Sequence, residues 1–310
     1  MTLRVATRRS TLARWQAGHV GDLVRRRHPE VDIDLVAVET LGDQALDRPI
    51  SDLGGRGAFV KEVQAAVLDG RADLAVHSAK DLPSNPQLGA EGLRLVAVPE
   101  RGDPRDALVG RPLAAIPPGG VVATGSARRR AQLAHLRPDL TFVGLRGSIE
   151  TRLAKAGGVS AVVVAAAALE RLGRGARAAE VLDPAVVLPQ VGQGALAVEC
   201  RADDNATMGL LAGIDHGPSR RAVDGERAFL ARLGGSCELP TAAYGTERAD
   251  GSVWIRALLA SLDGRMVLRT EAVVPRGADP AGAGARLAQD LLDRGGRSLL
   301  EEAGAGWSRR

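Results

Sequence analysis

The sequence is short of lysine, aromatic residues and cysteine, and each shortage narrows what the chain can do. Lysines occur only at Lys61, Lys80 and Lys155, so 38 of the 41 basic residues are arginine. Arginine position, rather than abundance, therefore carries the information. Phe, Trp and Tyr together make up 2% of residues. A single-strand nucleic-acid binder stacks bases on aromatic platforms, so that class is disfavoured despite the net charge of +4. Cys200 and Cys237 are too few for a disulfide framework or a cysteine zinc cluster, and point to a reducing, cytoplasmic compartment. No apolar run is long enough to span a bilayer. The first ten residues, MTLRVATRRS, contain no apolar h-region, so no secretory signal is expected. G-x-S-x-G is absent, which excludes a nucleophile-elbow hydrolase. His77 has no second His or Cys at a ligand spacing, so no metal is expected.

What is present reads as α/β. At 310 residues, 45% of them hydrophobic, the chain has material for two or three domains. The most informative stretch is residues 121–152, VVATGSARRRAQLAHLRPDLTFVGLRGSIETR. It repeats one unit: an apolar run (121–123, then 141–145), a small-residue turn, then helical spacing. That is the βα unit of an open parallel sheet, whose ligands sit at the carboxyl ends of strands. Arginines crowd both turns: Arg128, Arg129 and Arg130, then Arg146 and Arg152. Helix N-termini offer unpaired N–H groups, and guanidinium forks pair bidentately with carboxylate or phosphate. The turns therefore suit a ligand with several anionic groups, although a solvated basic face would look the same.

Other elements follow from pattern. Strands are expected at 3–7, 31–38, 74–77, 95–99, 161–165 and 196–199, the last crossing back into the first sheet. Ser10 should cap a helix bearing Leu12, Trp15, His19 and Leu23 on one face. Val60, Val63 and Val67 form another helical stripe. Residues 100–104 and 189–194 are turn-rich hinge candidates. A helix over 218–233 precedes strands at 253–259 and 266–274 and a long helix near 281–303. The expected domains are 1–99 plus about 195–215, then 100–194, then a small α+β domain over 216–310.

Three places can carry chemistry. His77-Ser78-Ala79-Lys80-Asp81 ends a strand, where Lys80 can hold an anion and Asp81 can stabilise a cation or move a proton. Solvated turn charges are the alternative. Cys237, in GGSCELP, lies in a loop where a thiol is reachable, or is a small packing residue; Cys200 reads as core. Gly192-Gln193-Gly194 can bring backbone close to a ligand.

Taken in order, ATRRSTLARWQ (6–16), GGRGAFVKE (54–62), RADLAVHSAKDLP (71–83), ERGDPRDAL (100–108), ATGSARRRAQL (123–133), LRGSIETRL (145–153), LPQVGQGALAVECR (188–201) and LGGSCELP (233–240) resemble the porphobilinogen deaminase (hydroxymethylbilane synthase) family. The resemblance implies two periplasmic-binding-protein-like α/β domains with mixed sheets, plus a small α+β C-terminal domain carrying a cofactor cysteine. It implies a transferase that joins four porphobilinogen molecules head to tail, releases ammonia, and hydrolyses off linear hydroxymethylbilane. The primer is a dipyrromethane held by a thioether, here on Cys237. Asp81 matches the catalytic aspartate. Lys80, Thr124, Ser126, Arg128, Arg129 and Arg146 would hold the cofactor, and Arg8, Ser10, Phe59, Arg152, Arg171 and Gln193 the substrate. A cytoplasmic monomer that passes its product to the next enzyme of tetrapyrrole synthesis, without nucleic-acid or membrane partners, is implied. Each pyrrole brings an acetate and a propionate, so arginine forks suit the growing chain. Four positions depart from the family pattern: Leu41, Arg56 for lysine, Ser148 for asparagine and Ser236 for glycine. A non-catalytic, two-lobed anion receptor would explain the arginine turns, but not Cys237 together with Asp81.

Overall fold

A computed structural model describes residues 1–40, 60–85, 89–234 and 239–307. Leu41, Arg56, Phe59, Ser236 and Cys237, and the 53–57 loop, lie outside the described residues. In chain order, β1 (Thr2–Arg8), α1 (Thr11–Arg27), β2 (Asp32–Val38), α2 (Lys61–Leu68), β3 (Leu74–Ser78) and β4 (Leu93–Ala97) come first. Then follow β5 (Asp106–Gly110), β6 (Val121–Ala123), α3 (Ala127–Leu136), β7 (Thr141–Val143), α4 (Ile149–Ala154), β8 (Ala161–Ala165), α5 (Ala166–Arg171) and β9 (Glu180–Val181). The chain ends with β10 (Leu196–Arg201), α6 (Asn205–Ala212), α7 (Gly217–Arg232), β11 (Thr241–Glu247), β12 (Val253–Ala260), β13 (Val267–Val274), α8 (Pro280–Leu291) and α9 (Arg297–Trp307).

These elements make two mixed five-stranded sheets and one antiparallel sheet of three strands. The strand orders are β2-β1-β3-β10-β4, β7-β6-β8-β5-β9 and β11-β12-β13. The two larger sheets share one plan. Three parallel strands (β2-β1-β3; β7-β6-β8) are followed by a strand running the other way. In each sheet that reversed strand directly follows a change of unit. By contacts the chain forms two compact units, 1–102 with 194–220 and 103–193 with 221–310. β5 is the first strand after residue 103, and β10 the first after residue 194. Strands buried on both faces need uninterrupted apolar sequence. AVVVA of β8 meets that need and is wholly buried; LAVEC of β10 is buried too, with its one acid, Glu199, hydrogen-bonded to Gln64.

Helix α1 corrects one expectation. Ser10 does cap it, accepting the Ala13 N–H at 3.3 Å. The buried face, however, is Ala13, Gln16, Ala17, Val20, Gly21 and Val24, whereas Trp15 lies exposed with His19 stacked on it, ring centroids 5.0 Å apart. Small residues won because the helix lies close to the sheet: a Cβ on Gly21 would meet Ile33 Cγ2 at 2.9 Å. The Val60, Val63 and Val67 stripe is buried as expected. The last helix is not continuous. A wide turn over Leu292–Gly296 holds Gly295 at φ +100°, outside helical space, and separates α8 from α9.

In the second unit, one face of the C-terminal sheet packs Val253, Ile255, Ala257 and Leu259 against Ala283, Leu287 and Leu291 of α8. Its other face takes Ala131 of α3 and Leu188 against Ala242, Leu258 and Ala260. Gly264, in the β12–β13 turn at φ +74°, has no room for a Cβ, which would run into the Ala131 carbonyl and the His135 amide. The same turn carbonyl lies 2.9 Å from His135 Nδ1. Helix α3 is thus held to the C-terminal sheet along its middle, and its first turn carries Arg128 and Arg129.

Candidate active site

Each larger sheet brings candidate residues together at the carboxyl ends of adjacent parallel strands. In the first unit, β1 ends at Arg8 and β3 at Ser78, and the two strands pair in parallel through Val5–Leu74 and Ala6–Ala75. Arg8 and Lys80 are half-buried, and Asp81 is exposed. The turn carrying Lys80 and Asp81 is fixed by backbone: Asp81 N–H donates to the Ser78 carbonyl at 2.9 Å, and Ala79 N–H to the Ala195 carbonyl at 3.0 Å. Ser10 spends an oxygen lone pair on the helix cap, and its hydroxyl proton remains a donor.

Beneath that turn lies a buried polar group the sequence reading missed. His77 Nε2 lies 3.1 Å from Glu199 Oε2, and Gln64 Nε2 donates to the same oxygen at 2.8 Å. All three side chains are buried. Glu199 had been masked by its apolar neighbours on β10. Cys200 is core as expected: burial pushes its thiol up to about 11, with the Asp204 charge adding to the shift.

In the second unit the β6–α3 and β7–α4 turns pack on each other. Thr124 N–H donates to the Val143 carbonyl at 2.9 Å, and a Cβ on Gly125 would meet the Leu145 carbonyl at 2.5 Å. Thr124 Oγ1 accepts the Ser126 N–H, and Ser126 caps α3 by accepting the Arg129 N–H at 3.4 Å. Ser148 caps α4 through the Thr151 N–H at 3.2 Å, a task asparagine performs equally well, which accounts for that departure. Arg146 is exposed. Arg152 donates from Nε to the Gly147 carbonyl at 2.9 Å. Arg171 ends α5; burial lowers it to about 10, so it is charged at neutral pH.

Arg128 and Arg129 are not on a solvated face. They are 2% and 7% exposed and share one enclosed carboxylate, Asp106 at the start of β5. Arg128 Nη1 donates to Asp106 Oδ2 at 2.7 Å and to the Leu188 carbonyl at 2.8 Å. Arg129 places Nε and Nη2 on Asp106 Oδ1 at 2.9 and 2.7 Å, and Nη1 on the Val163 carbonyl at 3.0 Å. Burial alone would push the Asp106 carboxyl up; the two guanidinium charges outweigh it and hold the group far below the usual range. Burial pulls Arg128 down, with Asp106 opposing. Gln193 is buried too, donating from Nε2 to the Pro104 carbonyl at 2.7 Å and to Asp106 Oδ1 at 2.8 Å. The sequence reading missed Asp106 because an acid after DPR looks like a turn charge. Its one signal was the buried apolar run that follows it.

Two positive charges against one negative leave a surplus in the protein interior. Among the described residues, Nε and Nη2 of Arg128 are buried without a hydrogen-bond partner. An unsatisfied buried donor costs roughly 1–3 kcal/mol, so a site of this kind calls for an anionic acceptor. Two larger mixed sheets, the second with arginines in the turns after its parallel strands, together with a small C-terminal sheet, define an α/β protein. Residues 3–209 match the porphobilinogen deaminase dipyrromethane cofactor binding domain, and residues 221–293 the porphobilinogen deaminase C-terminal domain. The porphobilinogen deaminase of Roseiflexus sp. (strain RS-1) is 46% identical over 306 residues, covering 96% of this chain and 98% of that protein. The chain belongs to the porphobilinogen deaminase family. Solved structures similar to it include an arginine-specific periplasmic binding protein of Salmonella typhimurium, 12% identical over 69% of this chain and 91% of that one, TM-score 0.37. YhfZ of Shigella flexneri is another, 16% identical over 70% and 91%, TM-score 0.36. Among the described residues no helix is long and apolar enough to cross a membrane.

Proposed function

We propose that the chain condenses four porphobilinogen molecules head to tail, with release of ammonia, and delivers linear hydroxymethylbilane. The observation that carries this reading is the buried Arg128–Asp106–Arg129 cluster, with its surplus charge and with Nε and Nη2 of Arg128 lacking a hydrogen-bond partner among the described residues. That donor set fits the acetate and propionate groups of a dipyrromethane primer. Lys80, Thr124, Ser126, Arg128, Arg129 and Arg146 are assigned to hold it, with Cys237 as its thioether anchor. When bound, the primer supplies a nucleophilic pyrrole carbon on which the chain grows.

The protein's own groups then have separate tasks. Loss of ammonia from porphobilinogen places positive charge on a pyrrole nitrogen. Asp81, on a turn fixed by two backbone hydrogen bonds, offers a carboxylate to that N–H, stabilising the charge and accepting a proton. Arg8, Ser10, Arg152, Arg171, Gln193 and Phe59 are assigned to the substrate, whose carboxylates suit guanidinium forks. Three domains are assigned, 1–99 with about 195–215, 100–194, and 216–310; that there are three sheets favours this division. The enzyme is assigned to the cytoplasm as a monomer whose product goes to the next enzyme of tetrapyrrole synthesis. The test is direct: purified protein with porphobilinogen should release four ammonia molecules for each hydroxymethylbilane. Its denatured mass should exceed the sequence mass by two linked pyrrole units. A bare sequence mass with no ammonia released would overturn the reading.

A further inference from the structure

A guanidinium binds a carboxylate best through its side edge, where Nε–H and one Nη2–H point the same way. Arg129 gives that edge to Asp106, and its third nitrogen, Nη1, goes to the Val163 carbonyl. Arg128 gives Asp106 only Nη1, which it shares with the Leu188 carbonyl. The side edge of Arg128, Nε with Nη2, is the part left buried without a partner among the described residues. Asp106 therefore treats two chemically identical neighbours differently. One fork is consumed, and the other is turned away and held by its far nitrogen.

The carboxylate is itself held. Gln193 Nε2 donates to Asp106 Oδ1 at 2.8 Å and to the Pro104 carbonyl at 2.7 Å, so the amide spans both segments where the chain changes unit. Its other end, Oε1, lies 3.5 Å from Arg129 Nη2. These contacts commit the Gln193 amide inside the protein.

We propose that Asp106 is a positioning residue, supported by Gln193, that fixes Arg128 with its side edge toward a ligand carboxylate. Arg128 is then the carboxylate-binding member of the pair, and Arg129 serves with Asp106 to hold it, instead of being a primer contact itself. Gln193 becomes a positioning residue instead of a substrate contact. This rests on the reading of Arg128 as a primer ligand.

The test separates position from charge. In Asp106→Asn the shape stays and the negative charge goes. In Asp106→Asn with Gln193→Glu the charge returns from the neighbouring segment, displaced from its original place, with both arginines intact. Readouts are circular dichroism, thermal midpoint, primer load by denatured intact mass after incubation with porphobilinogen, and the rate of primer assembly. The single variant should melt early. The double variant should recover its melting temperature as the buried charges rebalance. Any folded variant lacking Asp106 should stay poorly loaded, assembling primer about a hundredfold more slowly, the loss expected from a small misplacement of a binding group. A folded variant lacking Asp106 that loads as wild type would show that charge alone suffices and overturn the proposal. So would failure of both variants to fold, which would make the residue purely structural. Wild-type protein without the pyrrole mass would instead overturn the functional reading, and this inference with it.

Discussion

Arg128 and Arg129 lie at the boundary between what a sequence can say and what packing decides. Two adjacent arginines at a helix start suggest an anion site, and they lie in the first turn of α3, after β6. Their burial was not legible, because the compensating acid stands 22 and 23 residues earlier, on a strand start that reads as a turn. The consequence for mutagenesis is that Arg128→Ala is not a silent surface change. Removal leaves Arg129 paired with Asp106 but strips the Arg128 hydrogen bonds from Asp106 Oδ2 and the Leu188 carbonyl, at a cost of about 1–3 kcal/mol, so the variant should melt below wild type as well as lose primer. A thermal melt within experimental scatter of wild type would contradict the enclosed geometry. Asp81 is the opposite case: exposed, and on a turn whose backbone bonds do not need its side chain. Asp81→Asn should keep the melting temperature and primer mass while turnover falls by about a hundredfold or more. Wild-type turnover in that variant would remove the charge from the mechanism. The two variants should therefore separate cleanly on a plot of stability against activity.

At the scale of elements, strands were easier to read than helix faces. β8 declared itself by an unbroken apolar run, β10 by an apolar run broken only by Glu199, and β6 by its following turn. Helix α1 hid its face because Ala13, Ala17 and Gly21 carry almost no hydrophobic signal, yet their smallness lets the helix reach Ile33. The long C-terminal helix read as continuous because a single glycine pair, Gly295-Gly296, is a weak interruption in sequence and a full one in space. Helix α3 joins two tasks. Its first turn holds the arginines, and its middle receives the β12–β13 turn at Gly264. Gly264→Ala must push backbone away from Ala131 and His135 and also strain a left-handed residue. It should destabilise by about 1–3 kcal/mol, the usual cost of overpacking. It should lower primer load too, because α3 must shift to make room. A destabilised variant with full load would show that the arginine turn does not move with the rest of its helix.

At the scale of the whole chain, covalent anchoring and acid stability are the testable properties. Cys200 is enclosed in the first sheet, with burial holding its thiol up to about 11, so little thiolate forms there at neutral pH. Cys200→Ala should keep the primer mass, at a packing cost of about 1 kcal/mol. Cys237→Ala should lose that mass and all turnover; finding the reverse would move the anchor to the wrong cysteine. Asp106, Asp73 and Asp204 all have carboxyls lowered below their ordinary range by arginine or hydrogen-bond partners. A lowered folded-state pKa gives stability that is present above the unfolded value, near 4, and lost as pH falls through the folded one. The melting temperature should stay level from neutral pH to about 5 and drop steadily below about 4; a level curve to pH 3 would mean these pairs contribute nothing. The strand order has a consequence for how the molecule is made. β10 lies between β3 and β4, although β4 ends at Ala97 and β10 begins at Leu196. On the ribosome, the first sheet therefore emerges early but with a gap. β4 has no neighbour to bond until a whole second lobe has been synthesised, and the first part of the protein to be translated is among the last to close.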